Sequence, residues 1–201
     1  MSVRSLRHAG GFSLIETVVA MAVFAILVAL AVPSLRSWSA NTKIRAVSDA
    51  LQNGVRLAQA ESLRRSRQVV FSLTNSSTPN TGFRATGNGT YWAIMTIPAM
   101  TDGLETPEFV ESGVLSAASG TVQIAGPAEI CFNSVGRLVA NAATGVAGGS
   151  CTAPVSGNPP TANYDITLGA DHALRVQVAL GGQVHLCDPL QTLSATNPYG
   201  C

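Results

Sequence analysis

The 201 residues suffice for one domain of ordinary size plus a long appendage, and with 46% hydrophobic and 11% charged residues the chain falls well below the roughly 25% charge of an average soluble domain. A net charge of +1 excludes a strong global field that would draw nucleic acid or acidic partners. The apolar excess is uneven, because much of it lies in one N-terminal block.

Residues 1–11 read MSVRSLRHAGG, a short stretch made basic by Arg4 and Arg7. Residues 12–35, FSLIETVVAMAVFAILVALAVPSL, carry no charge except Glu16. As a helix this block spans about 36 Å, enough for a bilayer core of about 30 Å. The basic flank then stays cytoplasmic and the remainder lies outside. A plain signal anchor accounts for the apolar length. So does a secretory signal peptide, with Ala29-Leu30-Ala31 as an A-x-A-like cleavage site and Val32 as the mature terminus. Neither accounts for Glu16, since a carboxylate inside an apolar span costs about 2.5–3.5 kcal/mol and calls for a partner. Neither accounts for Gly10-Gly11-Phe12 just before the block.

Gly11-Phe12-Ser13-Leu14-Ile15-Glu16 resembles, position by position, the motif of the type IV prepilin family. The resemblance implies cleavage between Gly11 and Phe12 by a membrane aspartyl prepilin peptidase and N-methylation of Phe12. It implies that Glu16 is the acid of the mature helix, pairing in the filament core with the Phe12 amine of a neighbouring subunit. Such a pair offsets the desolvation of both charges and fixes axial register. Cleavage on the cytoplasmic side of the block retains the helix. Pro33 removes one backbone hydrogen bond and bends the helix. It reads as the end of a membrane span and, by the resemblance, as the helix kink that pilins carry near the membrane exit.

Beyond Pro33 the pattern stays helical to about Arg67, with an apolar stripe at Ile44, Val47, Leu51, Val55, Ala58 and Leu63. Gly54 reads as a mild defect in it. One helix is therefore expected from Phe12 to about Arg67, its second half amphipathic and packed on a head. The composition then changes. Turn chemistry at residues 75–80 and 87–89 separates short β-branched or aromatic runs at 69–74, 91–97, 120–125, 129–133, 164–168, 173–179 and 183–187. Leu174–Leu180 and Gln183–Cys187, joined by Gly181-Gly182, read as a hairpin with a primed turn. Residues 141–161, rich in Ala, Gly, Ser and Pro, read as a long surface loop. The expected organisation is a cleaved leader 1–11, a transmembrane and filament-core helix 12–35, an amphipathic helix 36–67 and a β-rich head 68–201. The class is α+β, and the resemblance implies the type IV pilin-like fold.

Three further stretches are similar to the GspH/FimT family of minor pilins and pseudopilins: Arg56-Leu57-Ala58-Gln59-Ala60-Glu61-Ser62-Leu63-Arg64-Arg65 with Val69-Val70-Phe71, Ile130-Cys131-Phe132-Asn133-Ser134-Val135-Gly136-Arg137-Leu138, and the hairpin Arg175-Val176-Gln177-Val178 with Val184-His185-Leu186-Cys187. The resemblance implies a subunit near the tip of a type II secretion filament or a type IV pilus. Its partners would be prepilin peptidase, other minor and major pilins or pseudopilins, and the inner-membrane assembly platform. The subunit would cross the inner membrane once, with a periplasmic head, before joining the filament. Some members capture DNA for uptake through Gly-Arg-x-Arg in the last hairpin. The matching positions here, Gly182-Gln183-Val184-His185, lack both arginines, and phosphate binding needs cationic donors. DNA capture is thus the alternative, with Arg137, Gln183 and His185 as its contacts. Arg64, Arg65 and Arg67 read as a solvated helix end whose cations complement the dipole.

The even cysteine count, without C-x-x-C spacing, points to disulfides in an oxidising compartment rather than zinc. Of three possible connectivities, proximity in sequence favours Cys131–Cys151 and Cys187–Cys201. Closing the tail into a loop of about 15 residues is worth roughly 3 kcal/mol on the entropy model. No enzyme is expected: Asp171-His172 reads as a hairpin turn, His185 as a surface or packing residue, and neither a nucleophile elbow nor a metal or phosphate motif accompanies them. No cofactor is called for.

Overall fold

A computed structural model of the chain describes residues 13–99, 105–115, 122–155, 160–169 and 172–201. Among the described residues one α-helix, α1 (Leu14–Arg65), is followed by nine strands, with a short 3-10 helix (Pro79–Thr81) between the first two: β1 (Val69–Thr74), β2 (Tyr91–Thr96), β3 (Phe109–Val114), β4 (Gln123–Ala125), β5 (Glu129–Phe132), β6 (Leu138–Val139), β7 (Thr161–Thr167), β8 (Leu174–Ala179) and β9 (Val184–Cys187). The class is α+β, as the sequence reading has it. The chain divides between Ser39 and Ala40 into two compact units.

The helical run includes Pro33, and it stops two residues short of Arg67 for a local reason. Ser66 takes a left-handed conformation (φ 52°), the Ser66 N–H donates to the Leu63 carbonyl and the Arg67 N–H to the Ser62 carbonyl. These two bonds satisfy two of the helix's terminal carbonyls in a Schellman cap, with serine at the position glycine usually fills.

In the second unit the stripe Ile44, Val47, Leu51, Val55 and Ala58 is buried. Leu63 does not belong to it and is half exposed. Five residues past Ala58 the helix has turned about 140° off the buried face, whereas Ser62, four residues past, returns to it. Ser62 is fully buried, and its hydroxyl donates to the Gln59 carbonyl.

Two antiparallel sheets complete the head, ordered β3-β2-β1-β5-β6 and β4-β7-β8-β9. The helical stripe shares one core with Phe71, Ile94, Ile130 and Phe132 of the first sheet and Ile124, Tyr164, Ile166, Val176 and Val178 of the second. The central strand β1 is buried along its whole length. Alternation sends Val69, Phe71 and Leu73 to that core. Val70 goes to a second cluster with Ala85, Ile97, Cys131, Val146 and Cys151 on the other face.

That second cluster adds to the reading of residues 141–161 as a long surface loop: among its described residues the segment carries no strand before Thr161 and most lie at the surface, but three turn inward. Thr144, Val146 and Cys151 are buried, Asn141 and Cys151 exchange backbone hydrogen bonds at 2.9 and 2.8 Å, and the last residue, Thr161, opens β7. The loop is drawn in by the Cys131–Cys151 disulfide. Two strands escaped the sequence reading. In β3 the run Phe-Val-Glu-Ser-Gly-Val holds a charge and a glycine, yet a Cβ at Gly113 would lie 2.5 Å from the Trp92 ring, so the glycine makes room for an aromatic neighbour. In β6 two residues are too few to show a period. Gly54 is likewise no mere defect. The stacked Phe71–Trp92 pair, with ring centroids 5.9 Å apart, lies against it, and a Cβ there would fall 2.9 Å from Trp92.

The turn between β8 and β9 is also not the two-residue primed type. Ala179 N–H donates to Gln183 O across a connection of Leu180, Gly181 and Gly182, Gly182 N–H donates to Ala179 O, and only Gly182 has positive φ (91°). This is the three-residue hairpin, a tight turn closed by a left-handed glycine.

Candidate assembly segment and head surfaces

The first unit begins with a helix cap. The Glu16 N–H donates to Ser13 Oγ at 3.2 Å, while the Glu16 and Thr17 N–H groups reach the Ser13 carbonyl. Serine at the cap and glutamate three residues on is the pattern of a capping box, and the acid lies where the helix dipole favours negative charge. The S-x-x-E signal is legible in Ser13-Leu14-Ile15-Glu16, a second role for this stretch beside the one expected of Glu16. Gly11 and Phe12, the expected cleavage and methylation positions, lie outside the described residues. Pro33 lies within α1.

From Leu14 (83% exposed) to Leu35 the large apolar side chains other than Val32 are exposed, among them Ile15, Met21, Phe24, Ile26 and Leu30. By length and composition α1 is long and apolar enough to cross a membrane. Its hydroxyls are satisfied by the helix itself: Thr17 donates to the Leu14 carbonyl at 2.8 Å and Ser34 to the Ala31 carbonyl at 2.9 Å. Such internal satisfaction suits a segment that leaves water.

On the head, the cysteines pair as Cys131–Cys151 and Cys187–Cys201, and no described cysteine is free. Arg137, Gln183 and His185 are exposed. The fold brings the turns that carry the first two together. The β5–β6 turn has the same build as the β8–β9 turn: Asn133 N–H donates to Arg137 O, and Gly136 has φ 74°. Gln59 of α1 donates its amide to the Gly136 carbonyl at 3.0 Å, and the Leu138 N–H donates to Leu180 O at 3.0 Å. A Cβ at Gly182 would overlap both the Gly136 carbonyl and the Gln59 amide, so only glycine allows the two turns to meet. His185 stands farther along β9, opposite Gln177. Arg56 donates to the Val184 carbonyl at 3.3 Å.

The other cationic cluster is not a merely solvated helix end. Arg64 and Arg65 both pair with Glu61, Arg65 reaches Glu108 at 2.8 Å, and Arg67 holds Glu105 at 2.8 Å. The two hydrogen bonds from Arg64, then the one from Arg65, draw the Glu61 carboxyl down to about 2. Arg67, helped by the Ala99 N–H, lowers that of Glu105. Carboxylates so placed leave little free positive charge for a phosphate backbone. Asp171 lies outside the described residues. His172 Nε2 stands 3.6 Å from Asp188 Oδ2, beside a groove of about 670 Å³ also lined by Arg45, Asp49 and Tyr199.

One buried polar group was not singled out in the sequence. Glu129 is 1% exposed at the start of β5. The Ser72 hydroxyl donates to Glu129 Oε1 at 3.0 Å, Oε2 has no hydrogen-bond partner among the described residues, and Gly149 covers the carboxyl so closely that a Cβ there would overlap it. Burial pushes the Glu129 carboxyl up against the opposing pull of the Thr144 and Ser72 hydroxyls. The fully buried Tyr164 phenol is likewise pushed up, by burial first and then by Glu129. Nothing in the local sequence marks this acid as inward, because its partners come from β1, the 141–151 loop and β7.

Residues 6–32 match the prokaryotic N-terminal methylation motif. No curated protein matches the chain significantly in sequence. Two crystal structures of the type IV minor pilin FimU of Pseudomonas aeruginosa PAO1 are similar. One, in space group P21, aligns at a TM-score of 0.46 and 13% identity over 74% of this chain and 90% of that one. The other, in P65, aligns at 0.44 and 11% identity over 72% and 92%.

Proposed function

We propose that this type IV pilin-like chain is a structural minor pilin or pseudopilin of the GspH/FimT type, held in the inner membrane by α1 and then built into a type IV pilus or type II secretion filament near its tip. The reading rests on one observation: the methylation motif at residues 6–32 leads into a helix whose large apolar side chains other than Val32 stay exposed as far as Leu35, while burial of the same helix begins at Ala40. An apolar surface of that extent needs lipid or other subunits around it.

In this reading prepilin peptidase cuts between Gly11 and Phe12, Phe12 is N-methylated, and Glu16 pairs with the Phe12 amine of the next subunit as helices leave the membrane for the filament core. A lone carboxylate is costly there, so the pair selects one axial register. The head stays outside the membrane and contacts neighbouring pilins. Mass spectrometry of the mature N terminus from native membranes tests this, with N-methylated Phe12 as the expected result. A terminus at Val32 would mean removal of the helix and would overturn the assignment.

DNA capture is the second reading, favoured by the meeting of the Arg137 and Gln183 turns beside Arg56. It requires that the purified head bind DNA with a steep salt dependence. No binding at low salt would reject it.

A further inference from the structure

The apolar run of the first unit ends abruptly. Leu35 is its last large apolar residue, Arg36 follows at once, and Trp38 is 70% exposed. From Leu14 to Leu35 the helix rises about 33 Å, close to the thickness of a bilayer core. Trp38 lies about 4.5 Å along the axis beyond Leu35, at the level of the glycerol and carbonyl layer if the run fills the core. An indole with an apolar body and one N–H donor is suited to that layer, and a guanidinium is suited to the phosphodiester just above it. Ser37, between the two, donates its hydroxyl to the Ser34 carbonyl at 3.3 Å and exposes no unmet donor to lipid.

We propose that Arg36 and Trp38 form a phospholipid-binding collar that sets the depth of α1 in the outer leaflet of the membrane: Trp38 seats in the interface and Arg36 binds lipid phosphate. The collar rests on the proposed membrane-spanning role of α1 and adds which residues fix its position. It stops the helix from sliding inward, because burying Arg36 would strip its charge of water.

The chain carries its own reporter. Its second tryptophan, Trp92, is 8% exposed and stacked on Phe71 in the core, so lipid quenchers reach Trp38 and leave Trp92 bright. The full chain is reconstituted into phosphatidylethanolamine–phosphatidylglycerol vesicles whose acyl chains carry bromine either near the headgroup or near the chain end. The expected result is quenching of Trp38 about twofold or more stronger from the shallow bromines, lost in Trp38→Phe. In Arg36→Leu the apolar run lengthens, Trp38 sinks, and the shallow preference falls toward equality. Stronger quenching from the deep bromines in the unaltered chain, or an unchanged profile in Arg36→Leu, would overturn the collar while leaving α1 in the bilayer. Absence of quenching from either position would overturn the collar together with the membrane-spanning role.

Discussion

Glu129 and Glu61 respond to pH in opposite directions. Burial raises the Glu129 carboxyl in the folded head. Below the unfolded value of about 4.3 both states are protonated and nothing is lost. As pH rises past it, the unfolded chain ionises while the folded one stays neutral, so stability falls until the folded group also titrates. In Glu129→Gln that loss should vanish, and urea unfolding should show the variant gaining on the parent as pH rises above the unfolded value of about 4.3. A parent whose midpoint relative to the variant does not move over that rise would contradict the buried-acid account. Glu61, held down to about 2 by Arg64 and Arg65, stabilises above the unfolded value and loses its contribution as pH falls from there towards 2. At Gly54 the decision is steric. Alanine there gains up to about 1 kcal/mol of helix propensity, but overpacking against Trp92 costs about 1–3 kcal/mol. Net destabilisation of about 1 kcal/mol is expected for Gly54→Ala, with a compensating gain when Trp92 is shortened to Phe in the same chain. Equal stability of parent and Gly54→Ala would show that the aromatic pair is free to move aside.

At the scale of elements, the tail after β9 depends on its closure. Cys187 is buried while Leu190, Leu193 and Tyr199 are exposed, so the last residues bury little apolar surface of their own. Asp188 and Gly200 form a bridge, with the Asp188 N–H on the Tyr199 carbonyl at 2.7 Å. Replacing both Cys187 and Cys201 by Ser should cost roughly 3 kcal/mol and leave the tail open to proteolysis, read by unfolding midpoint and limited digestion. The stripe Ile44, Val47, Leu51, Val55 and Ala58 was legible because helix period and burial agree there. Leu63 was misassigned because a five-residue step leaves that face. Strands β1, β2, β5, β8 and β9 were legible from β-branched and aromatic runs. Strand β3 was not, because its glycine answers to Trp92 on the neighbouring strand rather than to its own backbone.

At the scale of the whole molecule, among the described residues the main core cluster of the second unit takes its α1 side chains from Ile44 onward, so Glu16 and the head's folding are separable by mutation. Glu16→Ala should leave the head's unfolding transition unchanged, within about 0.5 kcal/mol, and yet sharply reduce recovery of the subunit in sheared filaments. Incorporation at the parental level would remove Glu16 from the assembly role proposed for it. What the sequence determined by itself was everything carried by local order: the leader motif, the length of the apolar block, the helical stripe, and the cysteine pairs close along the chain. These follow from composition and spacing, which act over a few turns. Only the tertiary structure decided where distant segments meet: that the 141–151 loop packs inward, that Glu129 is buried beneath Gly149, that the arginines at the helix end are neutralised by Glu61, Glu105 and Glu108, and that Gly136 and Gly182 touch across two sheets. Those outcomes depend on contacts between segments tens of residues apart, and no window of sequence contains both partners.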